Sequence, residues 1–102
     1  MVGYSHPDMS KTVRNRGDVY YSQGKFEEAL TQYHEVEKVY VTVYGSTHPD
    51  VATCKHKLGV LLKNMGEKVE GKKMLKEAAE IRRQVFGPAH ALTKESERLA
   101  SE

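Results

Sequence analysis

A Gly-x-x-His-Pro-Asp motif occurs twice in this chain at a spacing of 42 residues, at residues 3–8 and 45–50. A weaker copy, which keeps only Gly-x-x-His, follows 42 residues later at residues 87–90. Other residues recur at the same offset, namely Gly17 and Gly59, Gly24 and Gly66, Val43 and Val85, and Tyr44 and Phe86. Several matches in phase indicate an array of structural repeats, and such arrays build extended surfaces rather than reaction centres.

The first half of each period has the pattern of an amphipathic helix. Proline is favoured at the first helical position, and an aspartate after it suits the positive end of the helix. The His-Pro-Asp motif therefore predicts a helix start, with His48 as the capping residue. Gly24 and Gly66 are expected to end this helix in the two copies. The apolar face of the second copy consists of Val51, Cys54, Leu58, Leu62 and Met65.

The second half of each period predicts another helix, which stops at Gly45 or Gly87. Residues 39–44 on their own favour a strand, because they alternate β-branched and aromatic side chains. The equivalent residues 81–86 have helical spacing, so the repeat predicts helix in both copies. The predicted apolar stripes are Phe26, Ala29, Leu30, Tyr33, Val36, Val39 or Tyr40, and Val43, then Val69, Met74, Leu75, Ala78, Ala79, Ile81, Val85 and Phe86. The predicted fold is all-α, a stack of antiparallel helix pairs with about five helices.

Composition gives no indication of a nucleic-acid or membrane partner. The net charge is +2 and the pI is near 8.6, which is only mildly basic. The single cysteine, Cys54, excludes an internal disulfide and fits a reducing compartment. No apolar run approaches the ~20 residues that span a bilayer, and no signal peptide follows Met1. We expect a soluble, cytoplasmic protein that is part of a longer array, since its third repeat is unfinished.

The array resembles tetratricopeptide repeats, specifically the 42-residue subtype of kinesin light chains and related scaffolds. Residues 45–52 (Gly-Ser-Thr-His-Pro-Asp-Val-Ala) and residues 24–30 (Gly-Lys-Phe-Glu-Glu-Ala-Leu) match the two motifs of that subtype. The resemblance covers nearly the whole chain and implies a single α-solenoid fragment of about two and a half repeats. The implied divisions are repeat 1 at about 6–44, repeat 2 at about 48–86, and a partial third repeat or capping helix at about 89–102.

Several positions depart from the family pattern, among them the paired asparagines, which fall on Arg14-Asn15 and His56-Lys57, so that only Asn15 is kept. Arg16 stands where the family has a buried leucine, which Leu58 supplies in the second copy. Lys68 replaces an aromatic residue. Gly71 stands where Ala29 lies in the first copy. Glycine in a helix interior costs roughly 1 kcal/mol relative to alanine, so we expect Gly71→Ala to stabilise the chain by up to that amount.

The resemblance also places the first helix of each pair on a concave face that binds partners. The side chains expected on its non-core side follow a 3-4-3 spacing, which puts each set on one helical face. Their cations, aromatic ring and amides suit an extended segment that is acidic or bears a carboxylate. The alternative is an ordinary solvated helix surface. The candidate groove residues are Lys11, Arg14, Asn15, Asp18, Tyr21, Ser22, Thr53, His56, Val60, Lys63, Asn64 and Arg98.

No motif for catalysis or for a cofactor is visible. His6, His48 and His90 stand one repeat apart, on the order of 10 Å. That separation is too large for shared metal coordination at ~2 Å, so these histidines are expected to cap or pack. Cys54 lies on an apolar helix face, which predicts a buried, inert thiol. We therefore predict a chain that is not an enzyme and that has no cofactor and no metal site.

The predicted function is a non-catalytic scaffold that binds a protein or peptide segment in its groove. A row of lysines on the second helix, Lys68, Lys72, Lys73 and Lys76, is expected to be a solvated outer face, with contact to tubulin tails or acidic lipid head groups as the alternative. Two other functions remain open. One is structural assembly by self-association through exposed repeat ends, near Val2, Tyr4, Leu92 and Leu99. The other is a regulatory or adaptor segment of a larger enzyme or of a cytoskeletal, motor-associated protein.

Overall fold

The computed structural model describes residues 7–102, with side chains described from residue 15 onward. Five helices follow one another in this part of the chain: α1 (Pro7–Ser22), α2 (Phe26–Tyr44), α3 (Pro49–Asn64), α4 (Lys68–Phe86) and α5 (Ala91–Ser101). Residues 7–102 contain no strand, and each helix packs against the next one in the sequence. The all-α prediction is confirmed, including residues 39–44, which form the end of α2.

None of the five helices has both the length and the apolar character needed to cross a membrane. Several predictions concern positions outside the described side chains: the exposed repeat end at Val2 and Tyr4, the cap at His6, and the groove residues Lys11 and Arg14.

Two histidines begin the odd-numbered helices α3 and α5 in the same way. The Nδ1 atom of His48 accepts a hydrogen bond from the backbone N–H of Asp50 at 3.0 Å, and His90 accepts the equivalent bond at 3.1 Å. The ring of His48 stacks on Tyr44 and that of His90 on Phe86, with centroid separations of 4.2 and 4.5 Å. The prediction of His48 as a cap is confirmed. Because each capping ring also stacks on the end of the preceding helix, one residue both starts a helix and fixes the turn before it.

Glycines end the first four helices, as the sequence predicts. Gly45 and Gly87 follow α2 and α4 with φ angles of 91° and 94°. A side chain at this backbone conformation is strained, whereas glycine adopts it freely. Gly24 and Gly66 occupy the shorter turns after α1 and α3.

The core consists of two clusters of buried side chains between α2, α3 and α4. One cluster is Val36, Tyr40, Val51, Ala52, Cys54, Ala78 and Ile81. The other is Ala29, Tyr33, Leu58 and Leu61, against which Tyr20, Tyr21, Phe26, Leu30, Met65 and Met74 pack. Burial of Cys54 and Leu58 agrees with the sequence analysis.

Four residues of the predicted apolar stripes are exposed, so their assignment to the core is wrong. They are Val43, Val69, Val85 and Phe86. All four lie in the first or last turn of a helix, where coverage by the flanking helices falls off. Val69 is the extreme case, because 84% of its surface is exposed.

The helices α3 and α4 approach each other closely at Gly59 and Gly71. A Cβ atom on Gly71 would lie 2.7 Å from the carbonyl oxygen of Gly59 and 3.0 Å from the backbone nitrogen of Lys63. A Cβ atom on Gly59 would lie 2.8 Å from the carbonyl oxygen of Gly71. These neighbours are backbone atoms, which cannot rotate away as a flexible side chain does. The expectation that Gly71→Ala stabilises the chain is therefore wrong, because the added methyl group would force the two helices apart.

We predict that Gly71→Ala destabilises the protein by about 1–2 kcal/mol, since overpacking typically costs about 1–3 kcal/mol and better helix propensity offsets part of that cost. Urea denaturation followed by circular dichroism measures the change. Lys73→Ala, at an exposed position of the same helix, is the matched control and should stay within about 0.5 kcal/mol of the wild type. A Gly71→Ala protein that is more stable than the wild type would contradict the close contact.

Candidate functional site

The odd-numbered helices α1, α3 and α5 form a row linked by polar contacts. Between α1 and α3, the side-chain amide of Asn64 donates to the hydroxyl oxygen of Tyr21 at 2.7 Å. Between α3 and α5, the ammonium group of Lys63 donates to the carbonyl oxygen of Leu99 at 2.9 Å. These bonds use three candidate groove residues, so part of the predicted binding surface stabilises the row itself.

An open hollow of about 200 Å³ lies between α1, α2 and α3. Four of its lining residues are among the candidate groove residues, and the other two come from α2 and α3. The lining residues are Asp18, Tyr21, Tyr33, His56, Lys57 and Val60. The structure therefore brings together Asp18, Tyr21, His56 and Val60 from two successive first helices, around one concave feature.

Asp18 connects two polar side chains on one side of this hollow. Its carboxylate accepts a hydrogen bond from the hydroxyl of Tyr33 and another from the ammonium group of Lys57, the latter at 3.0 Å. The Lys57 nitrogen also lies 5.9 Å from the centroid of the Tyr33 ring, within the range of a cation–π contact. Burial, and then the neighbouring Asp18 carboxylate, raise the pKa of the Tyr33 hydroxyl far above its ordinary value, so this group remains a hydrogen-bond donor.

His56, which lines the hollow, also contacts a buried polar cluster around Arg82. Only 4% of Arg82 is exposed, and its guanidinium donates to the Ser96 hydroxyl at 2.8 Å and to the carbonyl oxygen of Leu92 at 3.2 Å. The Nδ1 atom of His56 lies 3.3 Å from the guanidinium nitrogen and 2.9 Å from the Ser96 oxygen. Because the guanidinium is only a donor, Nδ1 of His56 must be the acceptor and carries no proton.

The charges around His56 also favour its neutral form. Burial, followed by the positive charge of Arg82, lowers the pKa of the imidazole, and Lys57 acts in the same direction. Glu95 acts in the opposite direction and is outweighed. His56 therefore serves in this row as a neutral hydrogen-bonding group rather than as a cation.

The remaining candidate groove residues do not join the hollow. The hydroxyl of Ser22 donates to the carbonyl oxygen of Asp18, and that of Thr53 donates to Pro49, each within its own helix. Arg98 is exposed and lies 3.4 Å from the carboxylate of Glu102, and Asn15 is exposed as well.

Sequence reasoning did not place Tyr33, Lys57, Arg82 or Ser96 at this site. Tyr33 belongs to the second helix of its pair, and the groove was assigned to first helices alone. One feature of the sequence of α5 could have indicated the contact between Arg82 and Ser96. Thr93, Ser96 and Ala100 recur at steps of three and four in α5 and are all buried, so this short helix turns a small, partly polar face inward. An inward polar face needs a buried partner, which Arg82 supplies.

No group of three or more His, Cys, Asp or Glu side chains that could bind a metal ion occurs among the described residues. Comparison with protein families gave two matches. Two family models, each described as tetratricopeptide repeat, match residues 8–70 and residues 51–92. A comparison with curated proteins gave no match.

We predict that protonation of His56 destabilises the protein. The lowered folded-state pKa means that the unfolded chain binds more protons, so the free energy of unfolding falls as the pH drops through the unfolded value of about 6.5 and levels off below the folded pKa. NMR titration should give a His56 midpoint below about 6.5, and His56→Gln should flatten the pH dependence of stability.

His34→Gln, which removes an exposed imidazole from α2, is the matched control for His56→Gln. A His56 midpoint at or above about 6.5, or an equal change of slope in both variants, would contradict the buried arrangement with Arg82 and Ser96.

Proposed function

The chain belongs to the tetratricopeptide repeat family, and we propose that it is a non-catalytic module that holds a segment of a partner protein along the row of α1, α3 and α5. Repeats of this family generally mediate protein–protein interactions. Stacked helices keep such a surface in place before the partner arrives, which lowers the ordering cost of binding.

The observation that carries this proposal is the hollow between α1, α2 and α3. Tyr21, Tyr33 and Val60 give it apolar walls, and its volume is about 200 Å³. An apolar cavity of about 150 Å³ admits a molecule the size of benzene, so this hollow has room for one large apolar or aromatic side chain. We propose that such a side chain of the partner enters here, while the rest of the segment lies along α1 and α3.

Two lysines of α3 support a partner that is acidic or bears a carboxylate. An ammonium group has three N–H donors. Lys57 uses one for Asp18 and Lys63 uses one for Leu99, and both side chains keep part of their surface in solvent. Their remaining N–H groups can each bind a carboxylate of the partner. Lys57 lines the hollow and Lys63 lies further along α3, and two separate donors suit an extended segment better than a small molecule.

We further propose the 42-residue subtype found in kinesin light chains, with the repeats divided at about 6–44, 48–86 and 89–102. The helix bounds support it, because Pro7–Ser22 and Pro49–Asn64 are offset by 42 residues, as are Phe26–Tyr44 and Lys68–Phe86. A cytoplasmic, cytoskeleton-associated location belongs to the same proposal and rests on that resemblance.

A second candidate function is assembly of copies of this chain through the last helix pair. A groove between α4 and α5 is lined by Ala79, Ala100 and Ser101 together with the charged residues Lys76, Glu80, Arg83 and Glu97. Leu92 lies outside this groove at the start of α5, where 38% of it is exposed. Exposed apolar surface on the last helix favours packing against another protein surface, here a second copy.

The peptide-binding proposal predicts that filling the hollow weakens binding. Peptides selected from a displayed random library against the wild type should lose affinity on the order of tenfold or more, about 1.4 kcal/mol, in Val60→Arg, measured by fluorescence polarisation. The substitution adds a cation, so binding by charge alone would instead become stronger. The double variant Lys72→Ala/Lys76→Ala on α4 is the control and should bind normally. Loss of binding in that control, with Val60→Arg unaffected, would place the peptide elsewhere.

The assembly proposal predicts a mass that rises with concentration. Sedimentation velocity should show dimers at high protein concentration, and Ser101→Arg at the edge of the groove should remove them. Lys94→Glu, at another exposed position of α5, should leave the dimers intact. A wild-type protein that stays monomeric at millimolar concentration would rule this function out.

A further inference from the structure

The second ring nitrogen of His56 is a hydrogen-bond donor that reaches solvent. Because Nδ1 accepts from the guanidinium of Arg82, the proton of this neutral imidazole lies on Nε2. Within residues 15–102, no group bonds to Nε2, and Nε2 is not one of the enclosed polar atoms that lack a partner. An Nε2–H without a partner that is not enclosed must be accessible from outside.

This donor faces the hollow between α1, α2 and α3. Nε2 lies on the other side of the imidazole ring from Nδ1, and the Nδ1 side contacts Arg82 and Ser96. The side that lines the hollow is therefore the one that carries Nε2. Arg82 and Ser96 are both buried, so their contacts also hold the ring in one orientation before anything binds.

The other polar groups of the hollow largely bind one another. The hydroxyl of Tyr33 and the ammonium group of Lys57 both donate to the carboxylate of Asp18. The hydroxyl oxygen of Tyr21 accepts from Asn64. The Nε2–H of His56 differs from these groups, because it is a fixed, uncharged donor that is still free.

The charges of the hollow favour an uncharged acceptor for this donor. His56 is neutral and Lys57 is paired with Asp18, so the lining residues carry no net charge. A second carboxylate inside the hollow would have to share Lys57 with Asp18, and it would lose hydration against apolar walls. A neutral carbonyl oxygen costs much less to transfer from water than a carboxylate does.

An extended segment brings such acceptors with it. Its main-chain carbonyl groups have no partners within the segment, and covering one of them costs free energy unless it finds a donor. The carbonyl groups of a residue lie close to its own side chain. When a side chain of the segment enters the hollow, a neighbouring main-chain carbonyl therefore comes near the lining residues.

We propose that His56 is a specificity-determining residue of the hollow and that its Nε2–H donates to a main-chain carbonyl oxygen of the bound segment. This inference rests on the proposed function, because it takes the hollow as the place where a partner side chain enters. It adds that the hollow holds the backbone of the segment as well as one side chain, and that a carboxylate in place of the neutral carbonyl weakens binding.

NMR titrations at neutral pH with three small probes test the proposal. N-acetylphenylalanine methylamide has an apolar ring and two main-chain carbonyl groups. N-acetylphenylalanine ends in a carboxylate instead, and N-acetylalanine methylamide lacks the ring. The first probe should bind most tightly, and it should shift the Tyr33 ring signals, the Val60 amide signal and the Nε2 signal of His56 together.

Two variants at position 56 separate the donor from the shape of the side chain. His56→Leu removes the N–H and should lower the affinity for N-acetylphenylalanine methylamide about three- to tenfold, the range for one neutral hydrogen bond. His56→Gln keeps a side-chain N–H and should stay within about twofold of the wild type. His34→Leu removes an exposed imidazole from α2, so this control should bind as the wild type does.

Equal affinities in the wild type and His56→Leu, or tighter binding of the carboxylate probe, would overturn this proposal and leave the proposed function intact. Equal binding of the phenylalanine and alanine methylamides would instead show that no side chain enters the hollow, and both proposals would fail. If His56→Leu does not fold, the wild type alone decides. An Nε2 signal that does not change while the Tyr33 ring signals shift would overturn the hydrogen bond.

Discussion

The close contact between α3 and α4 at Gly59 and Gly71 sets the geometry on which the rest of the protein depends. Without side chains at these two positions, the backbones approach until each carbonyl oxygen fills the space of the missing Cβ atom. That separation lets Leu75, Ala78 and Ile81 become buried against the neighbouring helices. It also brings the end of α4 to the point where Arg82 reaches Ser96 on α5 and His56 on α3.

The concave row gains its rigidity from polar groups that satisfy one another. Arg82, Lys57 and Lys63 each have a partner on a different helix, so these cations connect the helices, and Lys63 is one that the sequence suggests for partner binding. Under the proposed function, a surface connected in this way would need little rearrangement to bind a partner.

Much of the fold follows from the 42-residue repeat, because each residue of the motif favours a particular local structure. His-Pro-Asp specifies a cap, a first helical residue and a favourable charge, and the glycines specify where helices end. The repeat also settles residues 39–44, whose local pattern favours a strand. The prediction from the repeat is wrong at Gly71, because a repeat implies equivalent packing in both helix pairs. Ala29 occupies the place of Gly71 in the first pair, and only the distance between the two helices decides whether a methyl group fits there.

The site was harder to predict than the fold, because it depends on contacts between residues far apart in the sequence. The resemblance implied that first helices line the concave face, and the spacing along α1 and α3 then selected Asp18, Tyr21, His56 and Val60. Spacing gives no information on which charges neutralise each other. The pairing of Lys57 with Asp18 spans 39 residues, and the contact between His56 and Ser96 spans 40. Tyr33 enters the hollow from α2, a helix that a rule based on first helices leaves out.

An NMR titration with a peptide selected against the wild type tests most directly whether the concave hollow is the binding site. Backbone amide shifts report every described helix at once, so the binding face can be read without a variant. The largest changes should occur at Tyr21, Lys57 and Val60, together with the ring signals of Tyr33. Changes concentrated on α4 or α5, with the hollow unaffected, would contradict the proposed function.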